Sequence, residues 1–86
     1  LYKIEYYKKA LKDIPKLKAC GLDKKAKLLI DVIKQDPFKN PPLYEKLVGD
    51  LTGYYSRRIN IQHRLVYEVL EDKKTVRIIR MWTHYE

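Results

Sequence analysis

The stretch LTGYYSRRINIQHRLVYEVLEDKKTVRIIRMWTHYE, Leu51 to Glu86, contains three strand-like runs in succession. They read approximately as Tyr54–Ile61, His63–Leu70 and Thr75–Thr83, dense in β-branched and aromatic residues. Short polar links near Asn60–Gln62 and at Asp72-Lys73-Lys74 separate them, and links that short favour antiparallel neighbours. The same stretch holds five arginines, Arg57, Arg58, Arg64, Arg77 and Arg80, interleaved with Tyr54, Tyr55, Tyr67, Trp82 and Tyr85. Guanidinium groups suit phosphates and flat rings suit bases, so the pattern points to a nucleic acid as partner.

Ahead of these runs the period changes. Tyr2-Lys3-Ile4-Glu5-Tyr6 alternates apolar and polar and predicts a short first strand. Tyr7, Ala10, Leu11, Ile14 and Leu17 recur at helical spacing up to Cys20-Gly21, where glycine can take a left-handed cap, and Pro15 predicts a kink or an early break. A second helix, with Leu22, Ala26, Leu29, Ile30 and Ile33 on one face, should end before Pro37. Asp36 to Gly53, with Pro37, Pro41 and Pro42, reads as a long connection that Leu43, Leu47 and Leu51 anchor to the core. The expected architecture is α+β: two N-terminal helices packed on a small twisted antiparallel sheet.

With 86 residues the chain is one domain, and 45% hydrophobic with 35% charged residues describes a globular rather than a disordered sequence. No apolar run approaches the roughly 20 residues of a membrane span, and the basic, tyrosine-rich Leu1–Leu11 has no secretory h-region. Cys20 stands alone, which fits a reducing cytoplasm. One cysteine and two distant histidines give no metal signature, and the three glycines form no phosphate-cradling loop. The net charge of +8 implies an acidic partner. Both helices need their apolar faces for the core, which argues against membrane-surface binding.

The strings SRRINIQHRLVYEV (Ser56–Val69) and THYE (Thr83–Glu86), preceded by YEKLVGDLTG (Tyr44–Gly53), resemble the YoeB/Txe branch of the RelE-type toxins. These are small bacterial ribonucleases of toxin–antitoxin pairs. The resemblance is dense over Tyr44–Tyr67, returns at His84-Tyr85, and over the N-terminal half is architectural only. It implies a β-α-α-β-β-β order and a metal-independent, cofactor-free, ribosome-dependent mRNA endoribonuclease that inhibits translation. It assigns Glu45 as base, Arg58 and Arg64 as phosphate ligands, His84 as acid, and Tyr85 as a contact near the scissile phosphate or a base. Relatives carry a lysine where this chain has Val48, and Lys46 is the nearby candidate to supply that charge. The implied partners are a YefM-like or Axe-like antitoxin and the 70S ribosome with its mRNA; a homodimer is compatible.

These assignments suit the chemistry. RNA carries its own nucleophile, the 2′-hydroxyl, so an enzyme need only supply a base, positive charge for the phosphorane-like transition state, and an acid for the departing 5′-oxygen. Taken without the resemblance, Glu45 is a solvated loop glutamate, Arg57 and Arg58 are surface charges, and Arg64 is a partly buried arginine paired with Glu68 or Asp50. By strand alternation Arg58 shares a side with Ser56 and Asn60, opposite Arg57 and Ile59. His63 reads as structural, and Lys39, Lys46, Lys73 and Lys74 as solvated lysines or backbone contacts. A non-catalytic basic adaptor on the same fold is the main rival, and a gyrase-inhibiting relative ranks behind it.

Overall fold

The structure, a computed structural model, describes residues 1–82. The chain runs β1 (Lys3–Tyr6), α1 (Lys8–Ala19), α2 (Asp23–Gln35), β2 (Tyr44–Lys46), β3 (Tyr54–Arg58), β4 (Arg64–Leu70) and β5 (Thr75–Arg80), with 3-10 turns at Gly49–Leu51 and Glu71–Lys73. This is the expected α+β class. On α1 the helical period buries Ala10, Asp13 and Leu17, and on α2 it buries Ala26, Leu29 and Ile33. Gly21, at φ +72°, ends α1. Its N–H donates to the Lys18 carbonyl and that of Leu22 to the Leu17 carbonyl, the paired bonds of a Schellman turn.

Pro15 does not break the first helix, which runs through it as one element. Leu11 and Pro15 are both on the exposed side, where water can take the carbonyl that the missing N–H leaves free. The second helix ends ahead of Pro37, as its sequence predicts.

The sheet has the order β1-β5-β4-β3-β2 and corrects the expectation in two respects. It is mixed rather than wholly antiparallel, because β1 pairs parallel with the free edge of β5, from Lys3 opposite Thr75 to Tyr6 opposite Ile78. Parallel neighbours need a long crossover, so short links between consecutive strands carry no information about this pair. It also has a fifth strand: Tyr44–Lys46, expected within a loop, pairs antiparallel with β3. The third strand stops at Arg58 rather than Ile61, since the Asn60 side chain turns the chain by accepting the Gln62 and His63 N–H groups at 2.9 and 2.7 Å.

One layer of core joins the helices to the sheet: Ala10, Leu17, Ala26, Leu29 and Ile33 pack with Ile59, Leu65, Tyr67, Val76, Ile78 and Met81. Asp13, 1% exposed, is the polar member of the α1 face. Its carboxylate accepts the Arg80 Nε–H at 3.0 Å and the Met81 N–H at 3.0 Å, tying helix to sheet where β5 ends. No helix among the described residues is long and apolar enough to cross a membrane.

The connection into β2 is anchored differently from expectation. Leu43 is 67% exposed, and Leu47 and Leu51 are only partly buried. Pro37 is buried instead, and Arg57, 1% exposed, reaches the segment from β3. Its Nε donates to the Tyr67 hydroxyl at 3.1 Å, Nη1 to the Pro42 carbonyl at 2.7 Å, and Nη2 to the Pro37 and Lys39 carbonyls at 3.0 and 2.9 Å. The guanidinium also stands 5.2 Å from the Tyr44 ring centroid. Arg57 is therefore a core residue, not the surface charge that its composition suggests.

Candidate active site

Register brings the candidate residues together. In β2–β3 pairing Glu45 stands opposite Ser56, and in β3–β4 pairing Arg58 stands opposite Arg64. Side chains alternate across a strand, so Glu45, Ser56, Arg58 and Arg64 share one sheet face while Arg57 takes the other. Placing Glu45 on a strand rather than in a loop is what fixes its height on that face.

Arg64 Nη1 donates to Glu45 Oε1 at 2.9 Å and to Ser56 Oγ at 3.2 Å. Its ionic partner is thus Glu45, neither Glu68 nor Asp50. The side chains are 18% exposed for Arg64 and 49% for Glu45. A pair as open to water as this contributes about 1 kcal/mol or less, so an incoming anion can replace the carboxylate at little cost. Arg58 is exposed beside them, and a cleft of about 150 Å³ is lined by Pro42, Leu43, Glu45, Ser56 and Arg58. A hollow of about 440 Å³ between the helices and β1 is larger, but its lining has lysines and aspartates without arginine, glutamate or histidine. The small cleft is the one lined by a glutamate and an arginine together, Glu45 and Arg58.

Lys46 is not part of this group. Next to Glu45 on β2, it alternates to the other face, opposite Tyr55, and lines a separate hollow with Val48, Thr52 and Tyr54. Val48 itself is 82% exposed. His84 and Tyr85 lie outside the described residues. Among the described residues no group of three or more His, Cys, Asp or Glu is placed to hold a metal ion.

Two participants were not singled out by the sequence. Ser56, fully buried, supports Arg64 from the strand between Arg64 and Glu45; its sequence signal is only that it shares a side with Arg58. Arg57 holds the segment that delivers Glu45, and its sequence signal is only that it shares a side with apolar Ile59. Deeper on that side Phe38, Tyr44, Tyr55 and Tyr67 form a ring cluster with centroids 5.2–6.0 Å apart. Burial pushes the Tyr67 phenol above the usual tyrosine range, and the Arg57 hydrogen bond partly opposes that shift.

Comparison with known proteins supplies the context. Residues 6–85 match the family model of the YoeB-like toxin of bacterial type II toxin–antitoxin systems. The YoeB toxin of Streptomyces coelicolor is 45% identical over 62 residues, covering 72% of this chain and 71% of the relative. Among solved structures, the YoeB/ParE toxin from Agrobacterium tumefaciens superposes with a TM-score of 0.87 at 30% identity, covering 96% of this chain and 99% of that one. The Staphylococcus aureus YoeB–YefM complex gives 0.81 at 33% identity, covering 99% of both chains. The YoeB dimer from the same organism gives 0.82 at 34% identity, covering 98% of each.

Proposed function

Since the chain belongs to the YoeB-like toxins of bacterial type II toxin–antitoxin systems, we propose that it is a metal-independent endoribonuclease that cuts mRNA on the ribosome and stops translation. The observation that carries this reading is the Glu45–Arg64 pair, set with Ser56 and Arg58 on one sheet face. Such an arrangement offers a carboxylate and two guanidinium groups within one cleft, as self-cleavage of an RNA backbone requires.

The proposed steps begin when a scissile phosphate takes Arg64 from Glu45. The freed carboxylate accepts the 2′-hydroxyl proton, and the 2′-oxygen attacks phosphorus. Arg64 and Arg58 hold the added negative charge, where a guanidinium fork matches two phosphate oxygens. The P–O5′ bond breaks as His84 gives its proton to the leaving oxygen, and Tyr85 contacts the scissile phosphate or a neighbouring base. Products are a 2′,3′-cyclic phosphate and a 5′-hydroxyl. Lys46, from the other face of β2, suits a more distant backbone contact. The net charge of +8 supports docking on ribosomal RNA in the cytoplasm.

Purified protein added to preformed ribosome–mRNA complexes should cut during a brief chelation with EDTA and leave those ends. Cleavage that needs added Mg²⁺ at the chemical step and leaves 5′-phosphates would rule the mechanism out. The partner proposed is a small acidic antitoxin of the YefM kind, folding over the basic face, with self-association as a dimer a further state. The YoeB–YefM complex and the YoeB dimer of the Staphylococcus aureus relative support these two readings. Co-expression with the adjacent open reading frame should restore growth and the two products should co-purify; failure of both removes the pairing.

A further inference from the structure

We propose that His63 is a positioning residue for the acid step: its ring holds the chain just ahead of His84 against the turn that carries Arg58 and Arg64. The proposal rests on the reading of His84 as the acid. It is motivated by a contact that the mechanism above leaves unused. The His63 and Trp82 rings stack with centroids 4.0 Å apart and planes 19° from parallel, and His63 Nδ1 meets the Trp82 carbonyl oxygen. A carbonyl only accepts, so Nδ1 carries the proton in this contact.

Both partners of the contact are fixed from behind. The His63 N–H donates to the Asn60 side chain at 2.7 Å, and its carbonyl accepts the Ile59 and Asn60 N–H groups at 2.8 and 3.2 Å. His63 therefore has no freedom independent of the β3–β4 turn, whose two flanks are Arg58 and Arg64. On the other side, the Met81 N–H is held by buried Asp13, which also binds Arg80. Two consecutive residues, Met81 and Trp82, are thus each anchored through the backbone, one to helix α1 and one to the arginine turn. Trp82, two residues ahead of His84 in sequence, is held through both its ring and its carbonyl.

A proton donor must meet the departing oxygen at hydrogen-bond distance while Arg58 and Arg64 hold the phosphate. Tying Trp82 to the arginine turn would give the proposed donor and the phosphate ligands one common frame. A displacement of about 1 Å in such an arrangement costs roughly 10²-fold in rate, so freeing the segment should be visible in the chemical step.

The test is single-turnover cleavage at saturating ribosome, with mRNA carrying either the natural linkage or a 5′-bridging sulfur at the scissile position. A thiolate leaves without protonation, so defects in acid catalysis vanish on the sulfur linkage while defects in base or charge stabilisation persist. His63→Phe keeps a ring to stack but removes the hydrogen bond, and Trp82→Leu removes the stack from the other side. Each should slow the natural linkage roughly 10-fold to 10²-fold and return to near the parental rate on the sulfur linkage, as His84→Gln should. Glu45→Gln should stay slow on both.

If His84→Gln is not recovered by sulfur, the acid assignment itself fails and the proposal goes with it. If His84→Gln is recovered but His63→Phe and Trp82→Leu are not, the acid stands and the positioning role of His63 is overturned. Parental cleavage of the natural linkage by His63→Phe overturns it as well.

Discussion

Glu45→Gln, Arg64→Ala and His84→Gln should each lower single-turnover mRNA cleavage by roughly 10²–10⁴-fold, with ribosome affinity nearly unchanged. Glutamine keeps the size and much of the hydrogen bonding of either parent residue but transfers no proton at cellular pH. Alanine at 64 removes a guanidinium that only the transition state needs at full strength. The structure adds that the loss in Glu45→Gln should not be a loss of fold. The Glu45–Arg64 pair is open to water on the glutamate side, and breaking it changes stability by about 1 kcal/mol or less. The thermal melt of Glu45→Gln should overlay that of the parent while activity collapses. Lys73→Ala, at the turn between β4 and β5 and so at the opposite end of the sheet from Arg58 and Arg64, should weaken salt-sensitive association at most. Parental cleavage by Glu45→Gln, Arg64→Ala and His84→Gln together would leave the non-catalytic adaptor as the better reading.

Which parts of this were legible beforehand follows from the range over which each signal acts. Helical spacing reported both helices because their cores, Ala10 to Leu17 and Ala26 to Ile33, repeat within one element. Strand alternation and two short links reported β3, β4 and β5 for the same reason. The β1–β5 pair was invisible, since Lys3 and Thr75 meet across most of the chain and no local pattern records a partner. The strand at Tyr44–Lys46 was hidden by three prolines upstream and by its own brevity. In the site, a family resemblance singled out Glu45, Arg58 and Arg64 before any geometry was known. It could not say that Glu45 sits opposite Ser56, which requires the strand. His63 was read as structural; what sequence could not supply is that it touches Trp82.

Replacing Arg57 by methionine should destabilise the fold by about 3–5 kcal/mol, a large share of what a domain of this size has to lose. The reason begins in composition. Pro37, Pro41 and Pro42 contribute carbonyls without N–H groups, so the segment they occupy is short of its own donors. Arg57 answers with a rigid fork that serves Pro37, Lys39, Pro42 and the Tyr67 hydroxyl at once. The Pro37 carbonyl keeps the Tyr67 hydroxyl as a donor at 2.7 Å; each other buried acceptor left without a donor costs about 1–3 kcal/mol, and those near the surface can recover part of it from water. Lysine, a single point of charge, should recover less than half of the loss because it cannot span these acceptors. A shift of the urea midpoint is the measurement, and a methionine variant within about 1 kcal/mol of the parent would contradict the account. Alkali should expose the same site. Because burial raises the Tyr67 phenol above its ordinary value of 10.0, the folded state favours the neutral ring. Its contribution is complete below that pH and is lost as pH rises through the folded value. Unfolding above the ordinary tyrosine range should therefore coincide with the tyrosinate absorbance of a late-titrating phenol. Because the segment that Arg57 holds leads directly into β2, its loosening should also displace Glu45, so that cleavage by the methionine variant falls at temperatures where the rest of the fold persists.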